Sequence, residues 1–322
     1  MRRFRYDTWG TWYRGNVHLH STASDGQCAF RELAQLYADA GYDFLVRTDH
    51  WVASDTRKDT EAHPLLWLDG IELDGVDRTA ALMHVLCIGR VEGIRPEDGL
   101  DEGIRQAREQ GALCVLAHPT WSANGLDDTR RWDLDGVEVY NHVCSWLNGK
   151  SDGLAHWNHA LRKKADTLAF AVDDTHRRPA CDGWRGGWIC VNAPDRRPDS
   201  LLQAMRRGNF YASCGPEIRD LRLEGGTLRL ETSPVRFVRL AGPGPSGMRV
   251  GSWEGELRTE TRLTLPGEWD YMYVELEDER GRRAWTNTLF RGECDAAGAP
   301  TGSESENEAR QELPGPPSRR DS

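Results

Sequence analysis

The sequence lacks the features that mark secreted, membrane-spanning or covalent-nucleophile proteins. None of its eight cysteines forms a CxxC pair, and their scatter along the chain is typical of reduced thiols. No stretch approaches about 18 consecutive apolar residues, so no transmembrane helix is expected. The basic start Met1–Arg5 is not followed by an apolar segment, so we expect no signal peptide. These absences predict a cytoplasmic protein without a membrane partner.

Positive charge is also scarce. The 322 residues include 41 Lys+Arg against 51 Asp+Glu, for a net charge of −10. Surfaces that coat nucleic acid are normally basic, so this balance disfavours a nucleic-acid partner. A small anionic substrate stays compatible with it, because bound metal ions supply local positive charge. No serine or cysteine stands in a nucleophile-elbow motif, which disfavours those nucleophiles.

Three styles of sequence follow one another along the chain. Residues 1–214 alternate short apolar runs with helical patterns, beginning with a predicted strand at Gly15–His20 and a predicted helix from Phe30 to Ala40. This alternation predicts parallel βαβ units, and their number indicates an α/β barrel. Residues 215–292 read as short alternating strands between Gly/Pro turns, which predicts a small antiparallel β-sandwich. Residues 293–322 contain almost no large apolar residue and are predicted to be a disordered tail.

Histidines and acidic residues recur at the ends of the predicted strands. His18 and His20 are two apart on a strand, so their side chains point the same way. Seven more candidates follow or border later strands, namely Asp25, His50, Glu72, His84, His118, Asp174 and His176. Because the carboxyl ends of parallel barrel strands converge on one face, we expect these nine side chains to meet there. Mixed imidazole and carboxylate ligands suit Zn, Mn or Fe, and the sequence does not choose among them.

These segments resemble a known family. His18-Leu19-His20, Ser24-Asp25-Gly26, Thr48-Asp49-His50, Gly70-Ile71-Glu72, Ala117-His118-Pro119 and Asp174-Thr175-His176 are similar to motifs of the PHP (polymerase and histidinol phosphatase) superfamily. The resemblance implies a distorted (β/α)7 barrel with two or three divalent metal ions. It assigns His18, His20, Glu72 and Asp174 to the first metal; Glu72, as a bridge, with His84 and His118 to the second; and Asp25, His50 and His176 to the third.

Later segments resemble one subgroup of that superfamily. Phe210–Pro216, Val137–Asn141 and Ala284–Asn287 look like the carbaryl-hydrolase-like (CehA/McbA-like) PHP proteins, in which a small β domain follows the barrel. The resemblance covers about residues 15–216, and these later matches are less specific than the metal-ligand motifs.

The favoured function is a metal-dependent phosphoesterase that acts on a small phosphate ester by attack of a metal-bridged hydroxide. Glu72, Asp25 and His176 are the expected catalytic residues, together with Arg177, which directly follows a ligand strand and could grip a phosphate by its guanidinium fork. One alternative is a hydrolase of carboxylic esters, amides or carbamates that uses the same metal site. Another is a non-catalytic metal-binding or scaffold protein. The sequence leaves the oligomeric state open.

Several further residues are candidates for supporting roles. Four tryptophans on predicted loops of the active face could stack on a flat substrate, namely Trp51, Trp121, Trp146 and Trp184. Asp49, Asp69 and Asp173 lie beside ligands in the sequence, so we expect them to hydrogen-bond metal-binding histidines. His156 and Asn141 are weaker candidates for a similar role.

Overall fold

The computed structural model describes residues 3–7, 9–176 and 183–291. Within these ranges there are six α-helices: α1 (Phe30–Asp39), α2 (Leu100–Glu109), α3 (Asp128–Arg131), α4 (His142–Asn148), α5 (Leu154–Leu161) and α6 (Pro198–Arg206). Arg177 and the predicted tail at 293–322 lie outside the described residues.

The same ranges contain nineteen strands; the α-helices lie among the strands up to β11, and the later strands follow one another. They are β1 (Arg3–Phe4), β2 (Thr11–Asn16), β3 (Phe44–Val46), β4 (Leu66–Leu68), β5 (Gly70–Val76), β6 (Leu82–Ile88), β7 (Leu113–Leu116), β8 (Gly136–Asn141), β9 (Leu168–Val172), β10 (Trp188–Ala193), β11 (Phe210–Ser213), β12 (Ile218–Glu224), β13 (Thr227–Val235), β14 (Phe237–Ala241), β15 (Gly247–Val250), β16 (Arg258–Thr264), β17 (Tyr273–Glu277), β18 (Arg283–Thr286) and β19 (Phe290–Arg291).

Helix α1 shows how the apolar pattern places the helices. Its buried residues, Phe30, Leu33, Ala34 and Tyr37, fall on one face because they repeat at helical spacing. The Glu32 side chain accepts a hydrogen bond from the Ala29 backbone N–H at 3.0 Å, which satisfies a free donor at the helix start. The predicted helix from Phe30 is therefore confirmed.

Apart from β1, which pairs with β19, the strands of the first 214 residues belong to two sheets. One has the order β5-β6-β7-β8-β9, and the other runs β15-β14-β17-β18-β11-β10-β2-β3-β4. Two isolated parallel bridges connect these strands beyond their regular pairing. Leu19, after β2, bridges to Thr175, after β9, and His50, after β3, bridges to Glu72 in β5. These bridges join the two sheets on both sides of the candidate residues.

Strand β6 runs antiparallel to both of its neighbours, β5 and β7. The expectation of uniformly parallel strands is therefore wrong here. A tight turn joins β5 to β6, and the Asp77 carboxylate holds it by accepting the backbone N–H groups of Thr79 and Ala81. Because β6 is reversed, its first residues lie beside the end of β7. His84 thus reaches the same edge as His118, although it lies near the start of a strand.

The nine-stranded sheet continues without a break into the C-terminal strands. β11 pairs with β18, which pairs with β17, and all these pairs are antiparallel. The three-stranded sheet β12-β13-β16 packs leucines such as Leu228 against Val274 and Leu276 of β17 in a common hydrophobic cluster. The expected domain boundary after residue 214 falls between β11 and β12 and remains a prediction.

Asn287 joins two strands that do not pair directly. Its buried Oδ1 accepts a hydrogen bond from the Ala169 N–H at 2.8 Å, and its Nδ2 donates to the carbonyls of Gly208 and Phe210 at 3.3 and 3.0 Å. Asn287→Ala should lower the free energy of unfolding by about 2–4 kcal/mol, because it removes the side-chain partner of the buried Ala169 N–H and of the buried Gly208 carbonyl. Urea unfolding measures this loss, with Asn148→Ala, an exposed asparagine, as control. Equal stability of the two variants would contradict the expectation.

Candidate metal centre

The structure brings all nine candidate ligand residues into one cluster, in which five histidines surround the carboxylate of Glu72. Its Oε2 lies 3.1 Å from the Nε2 atoms of both His18 and His20 and 3.4 Å from His50 Nδ1. Its Oε1 lies 3.0 Å from His84 Nδ1 and 3.5 Å from His118 Nε2. The two oxygens thus face different sets of imidazoles, the arrangement required of a carboxylate that bridges two cations.

Asp174 closes the cluster from the opposite side. Its Oδ1 lies 3.2 Å from His18 Nε2 and 3.1 Å from His20 Nε2. Among the described residues, neither this buried oxygen nor the buried Nδ1 of His20 has a hydrogen-bond partner. A buried polar atom without a partner is costly unless something else satisfies it. Ligand atoms converging around an unsatisfied carboxylate oxygen fit a divalent cation, and the mixture of imidazole and carboxylate fits Zn, Mn or Fe.

Asp25, His50 and His176 form a more open group with His20. Asp25 Oδ2 lies 3.2 Å from His176 Nε2 and 3.9 Å from His50 Nε2. The side chain of Asp25 is 55% exposed, whereas those of His18 and His20 are fully buried. This group therefore lies at the solvent side of the cluster, above the buried ligands.

Two of the ligand residues adopt a left-handed backbone. Asp174 has φ 57° and His118 has φ 26°, conformations that non-glycine residues rarely adopt and that cost free energy. The Asp174 N–H donates to the His18 carbonyl at 2.9 Å, and the His118 N–H donates to Glu138 Oε2 at 2.7 Å. These hydrogen bonds hold both side chains towards the cluster despite the strain.

The electrostatics reflect close packing of acids and imidazoles. Burial alone would lower the pKa of His18, but the carboxylates of Asp174, Glu72 and Glu138 outweigh it, and the pKa rises well above its usual value. By the same balance, carboxylate contacts raise the pKa of His20 to about 9. Burial alone would raise the pKa of Glu72, but the surrounding histidines hold it well below its usual range. The Glu72 carboxylate therefore stays ionised, as a metal ligand must.

Glu138 is a functional residue that the sequence reasoning missed. It is fully buried, and its Oε1 accepts a hydrogen bond from His18 Nδ1 at 2.6 Å. Its Oε2 accepts from the His118 N–H and, at 2.9 Å, from Asn141 Nδ2. Asn141 Nδ2 also lies 3.1 Å from Asp174 Oδ2, so the expected supporting role of Asn141 has a structural basis. An acid between valines of a buried strand was the available signal.

The acids expected to support the histidines make other contacts. Asp49 accepts hydrogen bonds from Ser21, Ser24 and Arg47. Asp69 accepts from Thr56, and Asp173 accepts from Tyr37 and from backbone N–H groups of residues 185–187. The expectation for these three acids is therefore wrong. Their side chains leave the chain on the side opposite to the neighbouring ligand, because side chains alternate along an extended backbone.

A cavity of about 470 Å³ opens onto the cluster. Its floor includes Glu72, Asp174 and His118, and one wall is apolar, made of Trp121, Val143, Cys144, Trp146 and Leu147. Among the described residues that line it there is no lysine or arginine. Of the four candidate tryptophans only Trp121 and Trp146 line this cavity. Trp51 donates its indole N–H to the Asp74 carbonyl, Trp184 packs on Tyr37, and His156 contacts the Asn124 carbonyl.

Comparisons with known proteins support the fold. No family model and no curated protein matches this sequence. A solved structure from Bacteroides vulgatus, of a two-domain protein containing a predicted PHP-like metal-dependent phosphoesterase, is 15% identical over 88% of this chain and 96% of that one, with a TM-score of 0.51. This chain has a fold like that of the PHP-like protein. The match spans almost the whole of both chains, so the likeness extends beyond the metal cluster into the C-terminal strands.

Two other solved structures are similar at TM-scores too low to establish a common fold. A candidate metal-dependent phosphoesterase from Bifidobacterium adolescentis is 17% identical over 50% of this chain and 87% of that one, with a TM-score of 0.38. An amidohydrolase from Chromobacterium violaceum is 22% identical over 47% of this chain and 50% of that one, with a TM-score of 0.22. Within the described residues, the helices are too short or too polar to cross a membrane.

Proposed function

We propose that this protein is a metal-dependent hydrolase of the PHP superfamily. The observation that carries the proposal is the clustering of nine ligand residues in overlapping groups, with the buried Asp174 Oδ1 left without a hydrogen bond from any described residue. The two bridges that join the ends of the sheets support a distorted (β/α)7 barrel made of β2, β3 and β5 to β9. The CehA/McbA-like subgroup is part of the same proposal, supported by the continuous β11 to β18 pairing that follows the barrel.

The proposed ligand sets follow the grouping of the side chains. The first metal would be held by His18, His20, Glu72 and Asp174, the second by Glu72, His84 and His118, and the third by Asp25, His50 and His176. Such cations, when bound, activate water and neutralise charge that develops on the substrate oxygens. The protein itself contributes the shape of the cavity, the spacing of the ligands through Glu72, and an exposed edge at Asp25 and His176 where the substrate can enter.

The favoured reaction is hydrolysis of a small phosphate ester. The cavity is of a size that takes a small molecule, and clustered cations suit a phosphoryl group. Glu72, Asp25 and His176 are the proposed catalytic residues because each lines the cavity and belongs to the cluster. Arg177 directly follows His176 in the sequence, and we propose that it contacts the phosphate oxygens.

One observation favours the second candidate, hydrolysis of carboxylic esters, amides or carbamates. The described lining of the cavity contains no cationic side chain, and its wall from Trp121 to Leu147 is apolar. A neutral substrate with an apolar group would be bound there through burial of that group. A phosphate ester would instead need the metal ions and Arg177 to neutralise its negative charge.

A panel of p-nitrophenyl substrates separates these reactions, because the leaving group is constant and only the group that is cleaved from it changes. We expect the metal-loaded protein to hydrolyse the phosphate monoester or diester faster than the acetate or the N-methylcarbamate, as measured by p-nitrophenol release. The Glu72→Gln variant corrects for spontaneous and surface-catalysed hydrolysis. Turnover of the carbamate or acetate alone would establish the second reaction, and metal binding without any turnover would favour a scaffold role.

A further inference from the structure

A second cavity, of about 670 Å³, is lined at two places by residues adjacent in the chain to residues that line the metal cavity. Gly183 lines the metal cavity, whereas the next three residues, Trp184 to Gly186, line the second one. Likewise Val143 lines the first cavity and His142 the second. Three arginines line the second cavity, namely Arg14, Arg185 and Arg282, and no carboxylate does so among the described residues.

This lining is unusual for a chain with a net charge of −10. Several exposed arginines outside this cavity form ion pairs with acidic side chains close to them. Arg57 contacts Asp55 and Glu92, and Arg105 contacts Glu102 and Glu109. Of the three cavity arginines only Arg282 has an acid at ion-pair distance among the described residues, Asp278 at 2.8 Å. The charges of Arg14 and Arg185 therefore repel one another unless an anion from solution enters between them.

Arg14 is the most constrained of the three. Its guanidinium carbon lies 3.8 Å from the ring centre of Trp188 and 4.3 Å from that of Tyr42. Its Nη2 donates to the Tyr42 hydroxyl at 3.2 Å, and its Nε is buried without a hydrogen-bond partner in the described part of the chain. Within that part no acid lies at ion-pair distance from its guanidinium. Stacking fixes the plane of the group and leaves its in-plane N–H edge to meet a ligand.

The other two arginines are held by local contacts. The Arg185 guanidinium lies over the Trp184 ring at 4.3 Å, and its backbone N–H donates to Asp173 at 2.8 Å. The Arg282 Nε donates to Asp278 Oδ2 at 2.8 Å. Such contacts restrict the side chains before a ligand arrives, so less conformational entropy is lost on binding.

We propose that this second cavity binds a small oxyanion with two or more negative charges, carried by phosphate or carboxylate groups. Guanidinium groups bind both by paired, charge-assisted hydrogen bonds. The site is distinct from the metal cluster because it uses none of the nine ligand residues.

Isothermal titration of the metal-loaded protein with inorganic phosphate, and separately with succinate, tests the proposal at constant ionic strength. Arg185→Gln and Arg282→Gln should each weaken binding of at least one probe by about tenfold or more, because each removes a charge-assisted contact. Both side chains lie at the surface, so folding is expected to be unaffected. Arg280→Gln is the matched control, since it removes an exposed charge two residues from Arg282 without touching the cavity lining.

The outcomes differ clearly. Weaker binding in the two cavity variants with an unchanged Arg280→Gln protein would support the site, and the probe affected identifies phosphate or carboxylate as its ligand. Equal weakening in all three variants would show general electrostatic attraction and overturn the proposal. Binding that survives in both cavity variants but disappears in Glu72→Gln would place the anion on the metals and likewise overturn it. None of these outcomes depends on whether the protein hydrolyses phosphate esters.

Discussion

Replacing Glu72 by glutamine is expected to reduce hydrolysis by more than about 100-fold, beyond the usual effect of changing a residue that only supports a ligand. Glu72 Oε2 faces three histidines and Oε1 faces two others, so both oxygens have to accept at once. An amide supplies one neutral oxygen and places an NH2 group against the remaining imidazoles. Elemental analysis of the purified variant should therefore show fewer metal ions per chain than the wild type.

A matched control for this variant is Glu109→Gln on the exposed side of α2, where the same change removes a charge that is 63% exposed. It should leave turnover and metal content as they are. For the wild type we expect two or three metal ions per chain. Full metal content and full activity in Glu72→Gln would show that the proposed bridge is not the functional centre.

Glu138→Gln is the second change with a large expected effect. The Glu138 carboxylate accepts a hydrogen bond from His18 Nδ1, with 2.6 Å between the two heavy atoms. This contact turns the His18 Nε2 atom towards Glu72 and Asp174. A glutamine retains the size but not the charge, and it can present an N–H where an acceptor is needed. Because such a partner orients the ring and increases its basicity, metal affinity or activity should fall by about 10–100-fold.

The measurement for Glu138→Gln is a metal titration followed by turnover at saturating metal. A residue that only fills space would change the urea unfolding midpoint without changing metal affinity. Here the affinity should fall, whereas Glu92→Gln, at an exposed ion pair with Arg57, should behave as the wild type. Unchanged metal affinity together with reduced stability would contradict a positioning role for Glu138.

Local sequence patterns predicted the elements that depend on local physics. α1 and α2 follow from apolar residues at helical spacing, and both are present as expected. Helix α4 was missed because it spans only seven residues and buries little apolar surface; it begins where the Asn141 side chain accepts the Cys144 N–H. The antiparallel direction of β6 depends on the turn after β5 and on pairing with a distant strand, which periodicity does not report.

The candidate ligands were predictable because strand ends concentrate them in short motifs. The residues that position these ligands were harder to predict from the sequence. Glu138 comes from the middle of β8 and meets His18 across 120 residues, a contact that no local spacing encodes. Asp49, by contrast, was expected to hydrogen-bond a metal-binding histidine because it is adjacent to His50 in the chain. Adjacent residues of an extended segment direct their side chains to opposite faces, so this expectation failed.

The pairing of β1 with β19 and of β11 with β18 also affects how the chain can fold. Arg3 pairs with Arg291, and the buried Arg5 side chain binds the Thr288 carbonyl. During synthesis, the first strand therefore emerges almost 290 residues before its partner, and the edge of β11 stays open until β18 follows. Contacts this distant in sequence slow folding. We expect the nine-stranded sheet, whose strand β2 leads into His18 and His20, to reach its final form only after β18 has left the ribosome.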